Sequence, residues 1–245
     1  MNRPGPLMSI VLYGILLSLA PAALNAQPRT VTFSGYDWVV KDSRQRKLAP
    51  GPNYYSPSES SVRVGPSGHL HLAIRKEEDR WYCAEVFTRQ RFGYGLYSIR
   101  LSGLLATLDP VMVLGLFTYD TADPPLYQEL DIEFSRWGKP ESPWLHYTVQ
   151  PYQERGRSHP ASPDITTTDS LHTFLWSPGE VLFSSYAVPG EGTEPVLVHQ
   201  WRLEAPDIPL PRRPAFRINF WLFQGLIPEE GAEVVIKEFS FTPAR

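Results

Sequence analysis

Residues Glu129, Leu130, Asp131, Ile132 and Glu133 follow one another, setting three carboxylates at alternate positions. Side chains alternate across a β-strand, so Glu129, Asp131 and Glu133 share one face. Leu130, Ile132 and Phe134 then point the other way, into a core. No Lys or Arg is interleaved among the acids. Three like charges in a row destabilise a sheet unless something offsets the repulsion. Two carboxylates whose surroundings push their pKa values apart are what cleavage of a glycosidic bond requires. The competing reading is a solvated acidic edge strand whose charge deters aggregation. Geometry limits the first reading: in a straight strand, positions i and i+4 lie about 13 Å apart at Cα. A retaining pair needs its carboxyls about 5–5.5 Å apart. Curvature of the sheet and the reach of Glu must close that gap, and Asp at either end would reach less far.

A strand of this kind needs a sandwich around it. Short apolar or alternating runs recur between Gly, Pro and Ser clusters, and no stretch of ten residues has helical periodicity, which predicts an all-β chain. Strands are expected at Val62–Val64, Leu70–Ile74, Trp81–Thr88, Gly95–Leu101, Val111–Phe117 and Glu129–Phe134. Further strands are expected at Leu145–Gln150, His172–Trp176, Val181–Ala187, Val196–Trp201, Arg217–Leu222 and Val234–Thr242. The 25 prolines fall mainly between these runs, where they fix turns without removing ladder hydrogen bonds. The segment 153–169 reads as a long polar loop, either the rim of a cleft or a tolerated insertion. Two packed sheets in one domain, residues 27–245, is the economical architecture.

Residues 1–26 stand apart. One Arg precedes the uncharged run Leu7 to Leu19, and small residues lead to Ala26, the layout of a secretory signal peptide. Cleavage is expected after Ala26, with Ala22 and Ala23 as alternatives; an uncleaved anchor is the rival reading. The expected location is secreted or periplasmic. The mature chain keeps 22 basic and 26 acidic residues, a net charge of −4, which argues against nucleic acid or an anionic membrane as partner. The single Cys83 cannot form an internal disulfide and reads as a small packed thiol. No His, Cys, Asp and Glu cluster has metal-ligand spacing, so no metal is expected in the chemistry.

Four segments in order resemble glycoside hydrolase family 16, and most of all its lichenase-type β-glucanases. The acidic strand matches the family's E-x-D-x-E signature in the form without a bulge residue. Cys83-Ala84-Glu85 with Phe92-Gly93-Tyr94-Gly95-Leu96-Tyr97 resembles the strand pair that precedes it. Leu171-His172-Thr173-Phe174 with Trp176-Ser177-Pro178-Gly179, and Asn219-Phe220-Trp221, resemble two later segments. The resemblance spans residues 53–241. It implies a concanavalin A-like β-jelly-roll sandwich of two antiparallel sheets with a concave cleft, and a retaining endo-β-glycanase acting on a β-glucan. Glu129 would be the nucleophile, Glu133 the acid and then base, and Asp131 the hydrogen-bond partner of the nucleophile.

The resemblance also implies substrate contacts from Asn53, Glu85, Tyr127, Gln150, Asn219 and Trp221. Asn53 reads equally as a turn residue, Trp221 also as a core residue, and His172 as either structural or functional. The chain departs from the pattern where Tyr127 replaces Trp, where Phe87 replaces Arg, and at Phe183-Ser184-Ser185-Tyr186-Ala187, where a turn motif is absent. A structural calcium is frequent in the family; no other cofactor is implied, and a monomer is expected. The unbulged spacing leans toward the lichenase side. Transglycosylation by the same residues and a non-catalytic carbohydrate-binding sandwich are the rival readings.

Overall fold

The computed structural model describes residues 27–121 and 129–244, so the expected signal peptide and Tyr127 lie outside the described residues. The chain begins with a hairpin of β1 (Thr30–Phe33) and β2 (Tyr36–Val40). Its two-residue turn, Ser34-Gly35, has φ of 51° and 78°. Positive φ at both positions matches the twist of the flanking strands, and Gly meets it without steric cost. Trp38 locks the hairpin by donating its indole N–H to the Phe33 carbonyl at 3.0 Å.

The remaining strands are β3 (Tyr54–Tyr55), β4 (Val62–Val64), β5 (Leu70–Glu77), β6 (Arg80–Thr88), β7 (Gly95–Ser102), β8 (Met112–Tyr119) and β9 (Leu130–Ser135). They continue as β10 (Leu145–Val149), β11 (Ser158–Ala161), β12 (Asp169–Ser177), β13 (Glu180–Val188), β14 (Val196–Glu204), β15 (Ala215–Leu222) and β16 (Ala232–Pro243). One sheet runs β11-β10-β9-β8-β15-β6 and continues through β2 to β1. The other runs β5-β16-β7-β12-β13-β14, with β4 beside β5. Where β5 turns into β6, pairing is confined to Arg75–Glu77 and Arg80–Tyr82, which makes this hairpin the corner between the sheets. The result is an all-β jelly-roll sandwich whose first sheet forms a concave face.

All twelve expected strands are present. Four were not anticipated: β1, β2, β3 and β11. The last lies inside the segment read as a long loop. It contains Pro160, and as an edge strand paired, among the described residues, to β10 alone it can hold a residue without an N–H.

The sheets are joined by aromatic rings. Tyr97 of β7 stacks on Phe174 of β12 at 4.4 Å and faces Phe216 of β15 in the other sheet at 5.8 Å; Phe216 in turn stacks on Phe239 of β16 at 4.5 Å. All four rings are buried, each contributing about 1.5–3 kcal/mol. One polar chain crosses this core. His172 meets Ser170 Oγ through Nε2 at 2.9 Å and Ser185 Oγ through Nδ1 at 2.7 Å, and Ser185 Oγ meets the Tyr147 hydroxyl at 2.6 Å. His172 is fully buried and its imidazole is pushed down to about 3 by that burial, so it stays neutral. Of its two readings, the structural one fits. Cys83 is also fully buried, and burial pushes its thiol up to about 12, which leaves it inert.

Candidate active site

Strand register assembles the site. On β9, Glu133 pairs laterally with Gly115 of β8 and His146 of β10; Gly115 pairs with Asn219 of β15, and Asn219 with Glu85 of β6. Lys41, one residue beyond β2, extends this row by donating its backbone N–H to the Glu85 carbonyl at 2.9 Å. The next row on the same face is Thr148, Asp131, Phe117, Arg217 and Phe87. Alternation puts both rows on the concave face, while Ile132, Leu116, Ile218 and Val86 fill the core behind them.

A cavity of about 330 Å³ opens over these rows. Glu129, Asp131 and Glu133 all line it, with Phe117 and Tyr119 from β8, Arg217, Asn219 and Trp221 from β15, Glu85 from β6, and Lys41. The acidic strand is therefore internal, third from the β11 end of its sheet, and not a solvated edge. Glu129 sits one residue ahead of β9, held by the Gln150 backbone N–H on its carbonyl at 3.1 Å.

The three carboxyls differ in surroundings. Glu129 is pushed up to about 7, mainly by burial, against which a hydrogen bond from Asp131 and the charge of Arg217 act downward. Glu133 is pushed up to about 8 by burial and by the charge of Glu129. Asp131, only 4% exposed, is raised well above the carboxylate range by burial and by both neighbours. In its protonated form it donates to Glu129, and it accepts from Gln150 Nε2 at 3.2 Å. The group that ionises with most help is thus Glu129, which alone of the three has a cation acting on it, and Glu133 is the one on which nothing acts downward. One carboxylate and one carboxylic acid can coexist here near neutral pH.

The expected binding residues differ in where the fold places them. Asn219 and Trp221 reach the cavity wall as their alternation predicts. Asn219 is 4% exposed, and its Oδ1 has no partner among the described residues. It lies where a Cβ on Gly115 would stand only 2.5 Å away, so glycine at 115 makes room for the amide. Trp221, 9% exposed, keeps an edge at the cavity while its ring packs 6.3 Å from Trp137, so it serves core and cleft together. Gln150 lies outside the cavity wall and meets Asp131 by its hydrogen bond. Asn53 is placed differently from the sugar contact expected: its Nδ2 donates to the carbonyls of Pro50 at 3.0 Å and Leu222 at 2.9 Å, clipping a loop to the end of β15.

Glu85 lines the cavity, but its carboxylate is already occupied. It is 2% exposed and accepts from Lys41 Nζ at 2.6 Å and Arg217 Nη1 at 2.8 Å. Neither cation was anticipated. Arg217 was within reach of the reasoning that found Asn219 and Trp221, because it lies two residues before Asn219 on the same face. It also stands directly opposite Phe87 and lays its guanidinium over that ring at 4.6 Å. Lys41 follows a strand that was not expected.

No family model matches the chain, and no curated protein matches it by sequence. Solved structures do match its fold. A prokaryotic β-1,3-1,4-glucanase (lichenase) derived from a mouse hindgut metagenome is similar at a TM-score of 0.59, with 19% identity, over 84% of this chain and 93% of its own. The β-glucanase of Bacillus licheniformis is similar at 0.61, with 17% identity, over 84% and 92%. A Mycobacterium tuberculosis protein described as an immunostimulatory antigen and pseudo β-1,3-glucanase is similar at 0.60, with 17% identity, over 85% and 91%. The fold is that of the lichenase jelly rolls.

Proposed function

We propose that this protein is a glycoside hydrolase, a retaining endo-β-glycanase that cuts a β-glucan by double displacement. The observation that carries the reading is the shared cavity of Glu129 and Glu133, differently tuned and linked by Asp131. Ionised Glu129 attacks the anomeric carbon as the glycosidic C–O bond breaks, and Glu133 gives its proton to the departing oxygen. A Glu129 glycosyl ester results. Glu133, now ionised, takes a proton from water, whose oxygen attacks the anomeric carbon and frees Glu129. Asp131 donates to Glu129 in the resting site and steadies its orientation. Every step uses side chains and water, so the reading calls for no cofactor. The leader read from residues 1–26 would place the enzyme, as a monomer, outside the cytoplasm, secreted or periplasmic.

The test is reducing-end release by the purified protein on mixed-linkage glucan, laminarin, xyloglucan and agarose, with Glu129→Gln alongside. Release that disappears in the variant upholds the hydrolase and names the polymer. Longer oligosaccharides formed at high acceptor concentration would assign a transglycosylase instead. Binding without release, equal in both proteins, would assign a non-catalytic carbohydrate-binding sandwich.

A further inference from the structure

We infer that Arg217 is a substrate-positioning residue whose Nη2 edge donates to a hydroxyl of an uncharged sugar ring bound on the β15 side of Glu129; the inference rests on the glycanase reading above. Three nitrogens of this side chain have three fates. Nη1 is taken by Glu85. Nε is shut off from solvent without a partner. Nη2 is what remains, and among the described residues no protein acceptor meets it, although Arg217 lines the cavity. The guanidinium is clamped between rings, 4.6 Å from the Phe87 centroid and 5.2 Å from that of Tyr119. A planar fork fixed in this way loses little further freedom when it binds a ligand.

Charge separates this role from that of a counter-ion. Lys41 and Arg217 together meet the single charge of Glu85, so one cation already satisfies it and one positive charge is in excess. That excess faces Glu129. Among the described residues, the titratable groups that share the cavity with Glu129 are Asp131 and Glu133 on its own strand, Tyr119 on β8, Arg217 on β15, Glu85 on β6 and Lys41 beyond β2, and the uncharged Gln150 beyond β10 holds the Glu129 carbonyl. Arg217 is the cation among them that holds the Glu129 carboxyl down. With its charge engaged by Glu129, its free edge suits a neutral hydroxyl better than a second anion.

Arg217→Met keeps the stem and removes the charge and donors; Arg217→Lys keeps the charge and removes the fork. The Glu129 carboxyl is followed by carbon-13 NMR titration, assigned by its loss in Glu129→Gln, and KM is measured on whichever neutral glucan the wild type cleaves. In the Met variant the Glu129 titration moves up by about 1 unit, and KM rises about tenfold or more, the loss of one hydrogen bond to a charged group. The Lys variant keeps the titration and shows the same rise in KM, a split that a structural counter-ion would not give. An unmoved titration and unmoved KM in both variants overturn the inference, as does tenfold preference for a sulfated over a neutral glucan. Should the wild type cleave no glucan, the glycanase reading fails, and equilibrium binding of the neutral glucans decides the inference: binding about tenfold weaker in both the Met and Lys variants upholds it, and unchanged binding in both overturns it. Should the Met variant not fold, the Lys variant decides through KM.

Discussion

Two clusters of polar side chains are buried in this sandwich, and they are built on opposite terms. Between the sheets, Ser170, His172, Ser185 and Tyr147 form a chain in which both imidazole nitrogens have partners and no charge is held. On the concave face, Glu129, Asp131 and Glu133 crowd like charges together, and the nearby Asn219 Oδ1 has no partner among the described residues. Burial acts on both in the same way, against the charged form, lowering His172 and raising the carboxyls. A polar network that is fully paired holds the fold together. One that repels itself and leaves an acceptor open is poised for a ligand.

The comparison can be broken by removing one member of each cluster. The largest effect is expected from Glu133→Gln, which should lower kcat/KM by about 10²–10⁴, the usual weight of a general acid. His172→Phe should leave kcat/KM of the folded protein within about twofold, since it touches no cavity residue. It should instead cost about 2–5 kcal/mol, because Ser170 and Ser185 lose a buried partner each. Melting curves would show this as a fall of at least about 4 °C.

Melting against pH sharpens the contrast. Glu133 titrates higher in the folded protein than its unfolded value of 4.5, so its neutral form favours the fold. That contribution is complete below about 4.5 and is lost as pH rises through about 8. Glu133→Gln should therefore match the wild type near pH 4 and melt at least about 2–4 °C higher near pH 9, the shift made by about 1 kcal/mol in a domain of this size. His172 titrates lower than its unfolded value of 6.5, so its contribution is present above that pH and is lost as pH falls toward about 3. The cost of His172→Phe should accordingly shrink in acid. Equal pH dependence in the two variants would erase the distinction.

The smallest effect is expected at Gly115. A methyl there would stand 2.5 Å from Asn219 Oδ1 and push the amide toward the cavity. Gly115→Ala should raise KM by about three- to tenfold with the melting temperature little changed, a hydrogen bond's worth of misplacement.

Much of this was legible in the sequence, where alternation was long enough to read. Period-two patterning set Glu129, Asp131 and Glu133 on one face and Leu130 and Ile132 on the other, and it did the same for Asn219 and Trp221. Applied one step further back, it would have found Arg217. The hairpin of β1 and β2 was signalled by Ser34-Gly35, but its strands of four and five residues are too short to stand out by pattern alone. Strand β11 was hidden by Pro160, which speaks against a strand everywhere except at an edge. The occupied state of Glu85 and the clip formed by Asn53 depend on partners 132 and 169 residues away. No local pattern carries such contacts.

The central claim is that Glu129 and Glu133 act as a nucleophile and an acid–base pair. The most direct measurement is proton NMR of the anomeric signals during the first turnovers on whichever glucan is cleaved, before mutarotation mixes the products. Double displacement at Glu129 predicts that the new reducing end appears first as the β-anomer. Appearance of the α-anomer first would mean a single displacement by water and would contradict the account.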